Sequence, residues 1–338
     1  MKVFNFDQPR FEKVMAGAIA QRRGIEECVD AICREGYSNL FLIGVGGTYA
    51  HFLPLKYMAD SLSTVDVHVE IASEFMAMDN KHFSKDSVCV FCSRTGNTKE
   101  IVAAAGYCKE RGARTVAFVA HAGTPLTEVA DYVFLNYADD DHLGESIYLQ
   151  ILPLLFRFLY NNGDFPDYEE MFSKVDELTP YLVAAKVGVE DYAAEMAKAH
   201  KDTDYYMVVG TGAVWGETYD YAMCILEEMQ WLKTKSIHAA EFFHGTLELV
   251  EKGTTMLMLY GEDASRPQMD RVYRFASQIT DDIMIFDTRK VDLPVAEKYR
   301  QYLAPLVIYS LLERFSCHLE EVRGHSLNMR RYYRQFDY

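Results

Sequence analysis

The fold is written most plainly in Asn39-Leu40-Phe41-Leu42-Ile43-Gly44-Val45-Gly46-Gly47-Thr48. A short apolar run reaches a glycine-rich turn, and helical periodicity then carries on to about residue 62. This pattern reads as a strand, a tight turn and a helix. Working outward, the same unit recurs. Strands are predicted at 67–72, 88–92, 115–120 and 133–135. Helices are predicted from Glu74, over 99–111, from Thr124-Pro125-Leu126, and over 144–160. Upstream, helical periodicity over 10–36 ends at Gly36. Strands alternating with helices imply a parallel sheet covered on both faces.

Downstream the pattern starts again. Residues 166–203 read as a helical connector after the break at Asn161-Asn162-Gly163-Asp164. Tyr205-Tyr206-Met207-Val208-Val209 then leads into Gly210-Thr211-Gly212-Ala213, which repeats Gly44-Val45-Gly46-Gly47 at an offset of 166 residues (Gly44 to Gly210). Further strands are predicted at 255–260 and 283–286, with a long apolar helix over 295–322. The fold class is therefore α/β, with two doubly wound parallel-sheet domains in tandem. Their expected limits are 1–165 and 204–338, on either side of the connector.

Composition narrows the function. Hydrophobic residues make up 49% and charged residues 25% of the 338, a packed rather than a disordered chain. With 34 basic and 50 acidic residues the net charge is −16, which repels nucleic acid and anionic lipid, so neither is an expected partner. No apolar run reaches the ~18 residues that span a bilayer. The start, Met1-Lys2-Val3-Phe4-Asn5-Phe6-Asp7, lacks the apolar segment of a signal peptide. Seven scattered cysteines suit a reducing compartment, so the expected location is cytoplasmic. Cys89 and Cys92 lie three apart in a predicted strand and face opposite ways, which makes them packing residues, not a chelating pair. None of the ten histidines stands at a metal-binding spacing, so no metal and no other cofactor is expected.

Two regions carry chemistry. Ser93-Arg94-Thr95-Gly96-Asn97-Thr98 joins an apolar strand to a helix. Free N–H groups and the positive end of the helix dipole favour a phosphate there, the hydroxyls add donors, and Gly96 lets the backbone come close. A helix cap would use one such hydroxyl, not three. Gly44-Val45-Gly46-Gly47-Thr48 also opens a helix, but Tyr49 stands where a dinucleotide fingerprint needs its third glycine. In the second half, Glu228 has Cys224, Ile225, Trp231 and Leu232 as helical neighbours, an apolar strip. A carboxylate in such surroundings holds a proton more readily than in water, as a proton shuttle must. His244 sits in Ala240-Glu241-Phe242-Phe243-His244-Gly245, a segment too aromatic for an exposed loop. No Ser-centred nucleophile elbow is present.

These residues resemble the sugar isomerase (SIS) family. Gly44-Val45-Gly46-Gly47-Thr48, Val69-Glu70-Ile71-Ala72-Ser73-Glu74-Phe75, the Ser93–Thr98 loop and Thr124-Pro125-Leu126 are similar in order and spacing to the tandem SIS portion of glucosamine-6-phosphate synthase. A narrower resemblance is to the fructosamine-type deglycases, carried by Glu228-Met229-Gln230-Trp231, Ser236-Ile237-His238-Ala239-Ala240-Glu241-Phe242-Phe243-His244-Gly245 and the tail Arg330-Arg331-Tyr332-Tyr333. The chain departs from the synthase at Phe243, where the synthase has a lysine, and at Thr246, where it has a proline. It also has no lysine after Lys298.

The resemblance implies that Ser93, Thr95 and Thr98, with Arg94 in the same loop, hold a sugar phosphate, and that Gly46, Gly47 and Thr48 line that pocket. It implies Glu228 as the proton carrier and His244 as the ring-opening group, the histidine coming from a neighbouring subunit of a homodimer or larger even assembly. Glu145 is a candidate contact for the substrate's amine. The implied reaction is hydrolytic deglycation of a 6-phosphorylated Amadori or Heyns adduct. An aldose–ketose isomerase, an aminosugar-phosphate deaminase and a non-catalytic sugar-phosphate sensor are the alternatives.

Overall fold

The computed structural model describes residues 3–138, 143–333 and 335–336. They fall into two compact units. The first half is Asp7–Thr179 with Pro294–Ala296; the second is residues 3–6, Pro180–Leu293 and the chain from Glu297 onward. The connector is not a separate body. Its helix Tyr168–Val175 belongs to the first half, and Thr179–His200 falls almost wholly in the second. Residues 3–6 join the second half through a buried charge cluster. The Phe4 N–H donates to Glu190 at 2.7 Å, and Arg314 Nε donates to the same carboxylate at 2.9 Å.

In the first half, β1 (Leu40–Gly44), β2 (Val67–Ile71), β3 (Val88–Ser93), β4 (Arg114–Val119) and β5 (Tyr132–Leu135) form one parallel sheet in the order β2-β1-β3-β4-β5. Every residue of β1 and β3 is buried, as strands covered on both faces must be. Cys89 and Cys92 are among them. Phe41, Ile43, Phe91, Ile101 and Leu126 pack one face. Helix Leu143–Asn161 packs against Gln8–Ile19, Arg22–Glu35 and Gly47–Leu62. The single helix expected over 10–36 is two, divided at Ala20 and Gln21.

The second half holds β6 (Tyr205–Gly210), β7 (Lys233–His238), β8 (Thr255–Tyr260) and β9 (Ile283–Asp287), parallel and in the order β7-β6-β8-β9. This is the winding of β2-β1-β3-β4. The repeat extends to backbone angles: Gly46 has φ +52° and Gly212, at the same offset of 166 residues, has φ +58°. Such angles are open to glycine and strained for other residues.

The helical spacing read around Glu228 is regular helix only in part. Trp215–Asp220 widens into a π-helical stretch, Tyr221–Glu227. The chain then turns through Trp231 at φ +56°, closed by Trp231 N–H to Glu227 O and Leu232 N–H to Leu226 O. It enters the edge strand β7, whose Lys233-Thr234-Lys235-Ser236 carries no apolar signature. Charged edge strands resist pairing with other sheets, and their polarity hides them from hydrophobic patterning. Among the described residues no helix is long and apolar enough to cross a membrane.

Candidate active site

Both glycine-rich and hydroxyl-rich loops leave the carboxyl ends of adjacent strands. β1 and β3 are paired through Ile43 opposite Phe91, and between them the order of the sheet reverses. Doubly wound sheets bind ligands in the crevice at this switch point. Gly46, Gly47 and Thr48 leave β1, and Ser93, Arg94, Thr95 and Thr98 leave β3. The first half therefore brings seven of the expected site residues to one end of its sheet.

The hydrogen bonds show how the loops keep their shape. Thr48 turns its hydroxyl back onto Val45, donating to its carbonyl at 2.9 Å and accepting from its N–H at 3.1 Å. Thr48 thus stiffens the turn beside any ligand. Ser93 Oγ accepts from the Gly96 N–H at 3.1 Å and lies 3.2 Å from Thr98 Oγ1. Thr95 Oγ1 donates to Asn97 Oδ1 at 2.6 Å. Thr98 occupies the cap position of helix Lys99–Glu110, yet its side chain makes no capping bond. The first-turn N–H groups of a helix have no acceptor within it, and they face the space beyond the strand ends. Gly96 has φ +62°, and a Cβ there would lie 2.1 Å from Thr124 Oγ1, so the loop after β4 packs directly on it. The Ala120 N–H to Arg94 carbonyl bond ties the two loops again. Glu145, in the first turn of Leu143–Asn161, is fully buried. The sequence reading has it touch the substrate's amine; as placed, the protein encloses it.

The second half arranges a different chemistry. Glu228 follows the π-helical stretch with its side chain one-third exposed. The wholly apolar setting expected for it needs correction. Cys224 and Leu232 are buried beside it, but its carboxylate is paired with Arg330 of the tail, Nε to Oε1 2.9 Å. Helical spacing alone could not reveal a partner a hundred residues away. Asp220 is buried, and burial together with the charge of Glu228 pushes its carboxyl up to about 6, against a bond to Cys224 that pulls the other way. Sequence reasoning missed this residue. The signal was an aspartate eight positions before Glu228 among Tyr219, Tyr221 and Ala222.

His244 differs from expectation in its surroundings. Phe242 is the buried anchor of the short turn Phe242–His244, whereas His244 itself is exposed. Phe242, with Phe243 packed beside it and against Phe275, holds the segment down, and the histidine stands on the surface. Glu228 precedes β7 and His244 follows it. Six strand residues rise roughly 20 Å, so the two lie toward opposite ends of that strand within one chain.

Asp66, His68 and His82 have metal-binding composition and bring their ligand atoms within 4.8 Å of one another. His68 Nε2 is already hydrogen-bonded to Asp66 at 3.0 Å. The group lies at the start of β2, the end of the sheet away from the Ser93 loop.

Known proteins match this architecture. The SIS domain family matches residues 36–157. The fructosamine deglycase FrlB of Bacillus subtilis is 31% identical over 306 residues, 89% of this chain and 92% of that one. The fructoselysine 6-phosphate deglycase of Escherichia coli is 24% identical over 314 residues, 91% of this chain and 89% of that one. A Bacillus subtilis crystal structure described as a phosphosugar isomerase superposes with a TM-score of 0.88 at 28% identity, covering 96% of this chain and 100% of that one. The chain belongs to the SIS family, in the group that includes these deglycases.

Proposed function

We propose that this protein is a deglycase that cleaves a 6-phosphorylated sugar–amino acid adduct to a hexose 6-phosphate and a free amino acid. The observation that carries this reading is the likeness to a fructosamine deglycase along nearly the whole chain. The crevice of the first half supports it, with Ser93, Thr95 and Thr98 around a helix N-terminus suited to a phosphate.

In this reading His244 assists opening of the sugar ring. Glu228 takes a proton from the carbon bearing nitrogen in an Amadori adduct, giving an enaminol, and the proton returns to the neighbouring carbon. The C–N bond is then an imine; one water adds, the bond breaks and the amine leaves. Because β7 separates Glu228 from His244 in one chain, the reading has the histidine come from a second subunit of a homodimer or larger even assembly. No cofactor takes part, and the location is cytoplasmic.

The test is incubation with a panel of 6-phosphorylated adducts and measurement of free amino acid. Stoichiometric release is expected. An isomerase would leave nitrogen on the sugar, an aminosugar deaminase would release only ammonia from an aminosugar phosphate, and a sensor would bind without turnover.

A further inference from the structure

A substrate with a phosphate at one end carries a second anion, the amino acid carboxylate, at the other. On a chain of net charge −16 that group needs a local cation. The second half supplies one where the proposed proton carrier stands. Arg330 lies against Glu228, its own Nη1 anchored to the carbonyls of Leu327 and Met329 at 2.7 and 3.0 Å. The next residue, Arg331, places its guanidinium 4.2 Å from the centre of the Trp231 ring. Trp231 holds the left-handed backbone angle that ends the Glu228 segment. Gln230 donates to the His325 carbonyl at 2.7 Å and accepts from Arg323 at 3.1 Å, which fixes the root of the tail to the same segment.

This arrangement sets a conflict. A guanidinium held on Glu228 occupies Oε1, a carboxylate oxygen that the proposed proton transfer would use. A substrate carboxylate is a partner of the same chemistry, and the planar fork of arginine suits it. Resting on the deglycase reading, we propose that Arg330 is the receptor for the adduct's carboxylate. The guanidinium passes from Glu228 to the incoming carboxylate, so that the substrate's own anion frees the proton carrier. Arg330 thereby selects adducts of amino acids over those of simple amines.

Two measurements test this. The first needs no turnover: calorimetric binding of a reduced, non-cleavable 6-phosphorylated adduct and of its carboxamide, to the wild-type protein and to Arg330→Gln. The wild type should favour the carboxylate by roughly tenfold to a hundredfold, the worth of a charge-assisted pair. Arg330→Gln should bind the two alike, and Arg330→Lys should keep part of the preference. An undiminished preference in Arg330→Gln, none in the wild type, or no binding at all overturns the proposal. The second is kinetic. Arg330→Gln should lower kcat/KM for the carboxylate adduct and raise kcat for the carboxamide, because Glu228 is then unencumbered. An equal fall for both would make Arg330 a support of the tail and nothing more. If the binding preference holds but no adduct is cleaved, the deglycase reading fails and the carboxylate site stands.

Discussion

After β1 the first half turns through Gly46 into a helix, and the loop after β3 offers hydroxyls and a helix N-terminus beside it. After β6 the second half turns through Gly212 in the same way, but the loop after β8 sends a carboxylate into the turn. Asp263 accepts from the N–H of Ala213, the counterpart of Gly47, at 3.1 Å and from the Ser265 N–H at 2.9 Å. A Cβ on Gly212 would lie 2.3 Å from Asp263 Oδ1. The two halves share one winding and differ in what answers the donors at the switch point. The second half answers them with a carboxylate of its own, Asp263, whereas the first sets hydroxyls around its turns, Thr48 on Val45 and Ser93 on Gly96. A repeated fold can thus keep its architecture while the chemistry at its turns differs, and the proposed division of labour, phosphate in the first half and acid–base groups in the second, follows that difference.

The largest expected effect belongs to the second half's chemistry. Glu228→Gln keeps shape and removes the proton carrier, so kcat should fall on the order of a hundredfold to ten-thousandfold, while binding of a sugar phosphate is retained. Near-normal turnover would take Glu228 out of the mechanism. Next is the internal anion. Asp263→Ala leaves the buried N–H of Ala213 and the half-buried N–H of Ser265 unanswered and should cost about 1–3 kcal/mol of stability, read from the denaturant midpoint. An unchanged midpoint would break the contrast between the halves.

The same change in the first half should show in binding instead. Ser93→Ala with Thr95→Ala removes two donors, and KM should rise at least roughly tenfold with little loss of stability. A stability loss without a change in KM would make these hydroxyls structural, like Asp263. The smallest effect tests assembly. Mixing Glu228→Gln and His244→Ala proteins under subunit exchange should restore roughly a quarter of wild-type activity if each site draws on two chains. No recovery, with exchange shown independently, would place both residues in one chain's site.

Much of this was legible in the sequence. The apolar strands β1, β3, β4 and β8 stand out because strands buried on both faces are nearly continuous in hydrophobicity. The repeat was readable from its glycines, since the positive φ at Gly46 and Gly212 leaves little choice of residue. What stayed hidden was set by contacts between distant residues. The pairing of Glu228 with Arg330, the insertion of Asp263 beside Gly212 and the split of the connector leave no periodic trace. β7 was missed because an edge strand with two lysines looks like a loop. His244 was misplaced because the aromatic residues before it, which anchor the turn, masked its exposure.

The first half is proposed to hold the phosphate of an adduct that the protein cleaves. This is tested most directly by mass spectrometry of products from phosphorylated adducts and their unphosphorylated counterparts under identical conditions. Equal amounts of hexose 6-phosphate and free amino acid are expected from the phosphorylated adduct, and almost none from the other. Equal cleavage of both, or a rearranged sugar that keeps its nitrogen, would contradict it.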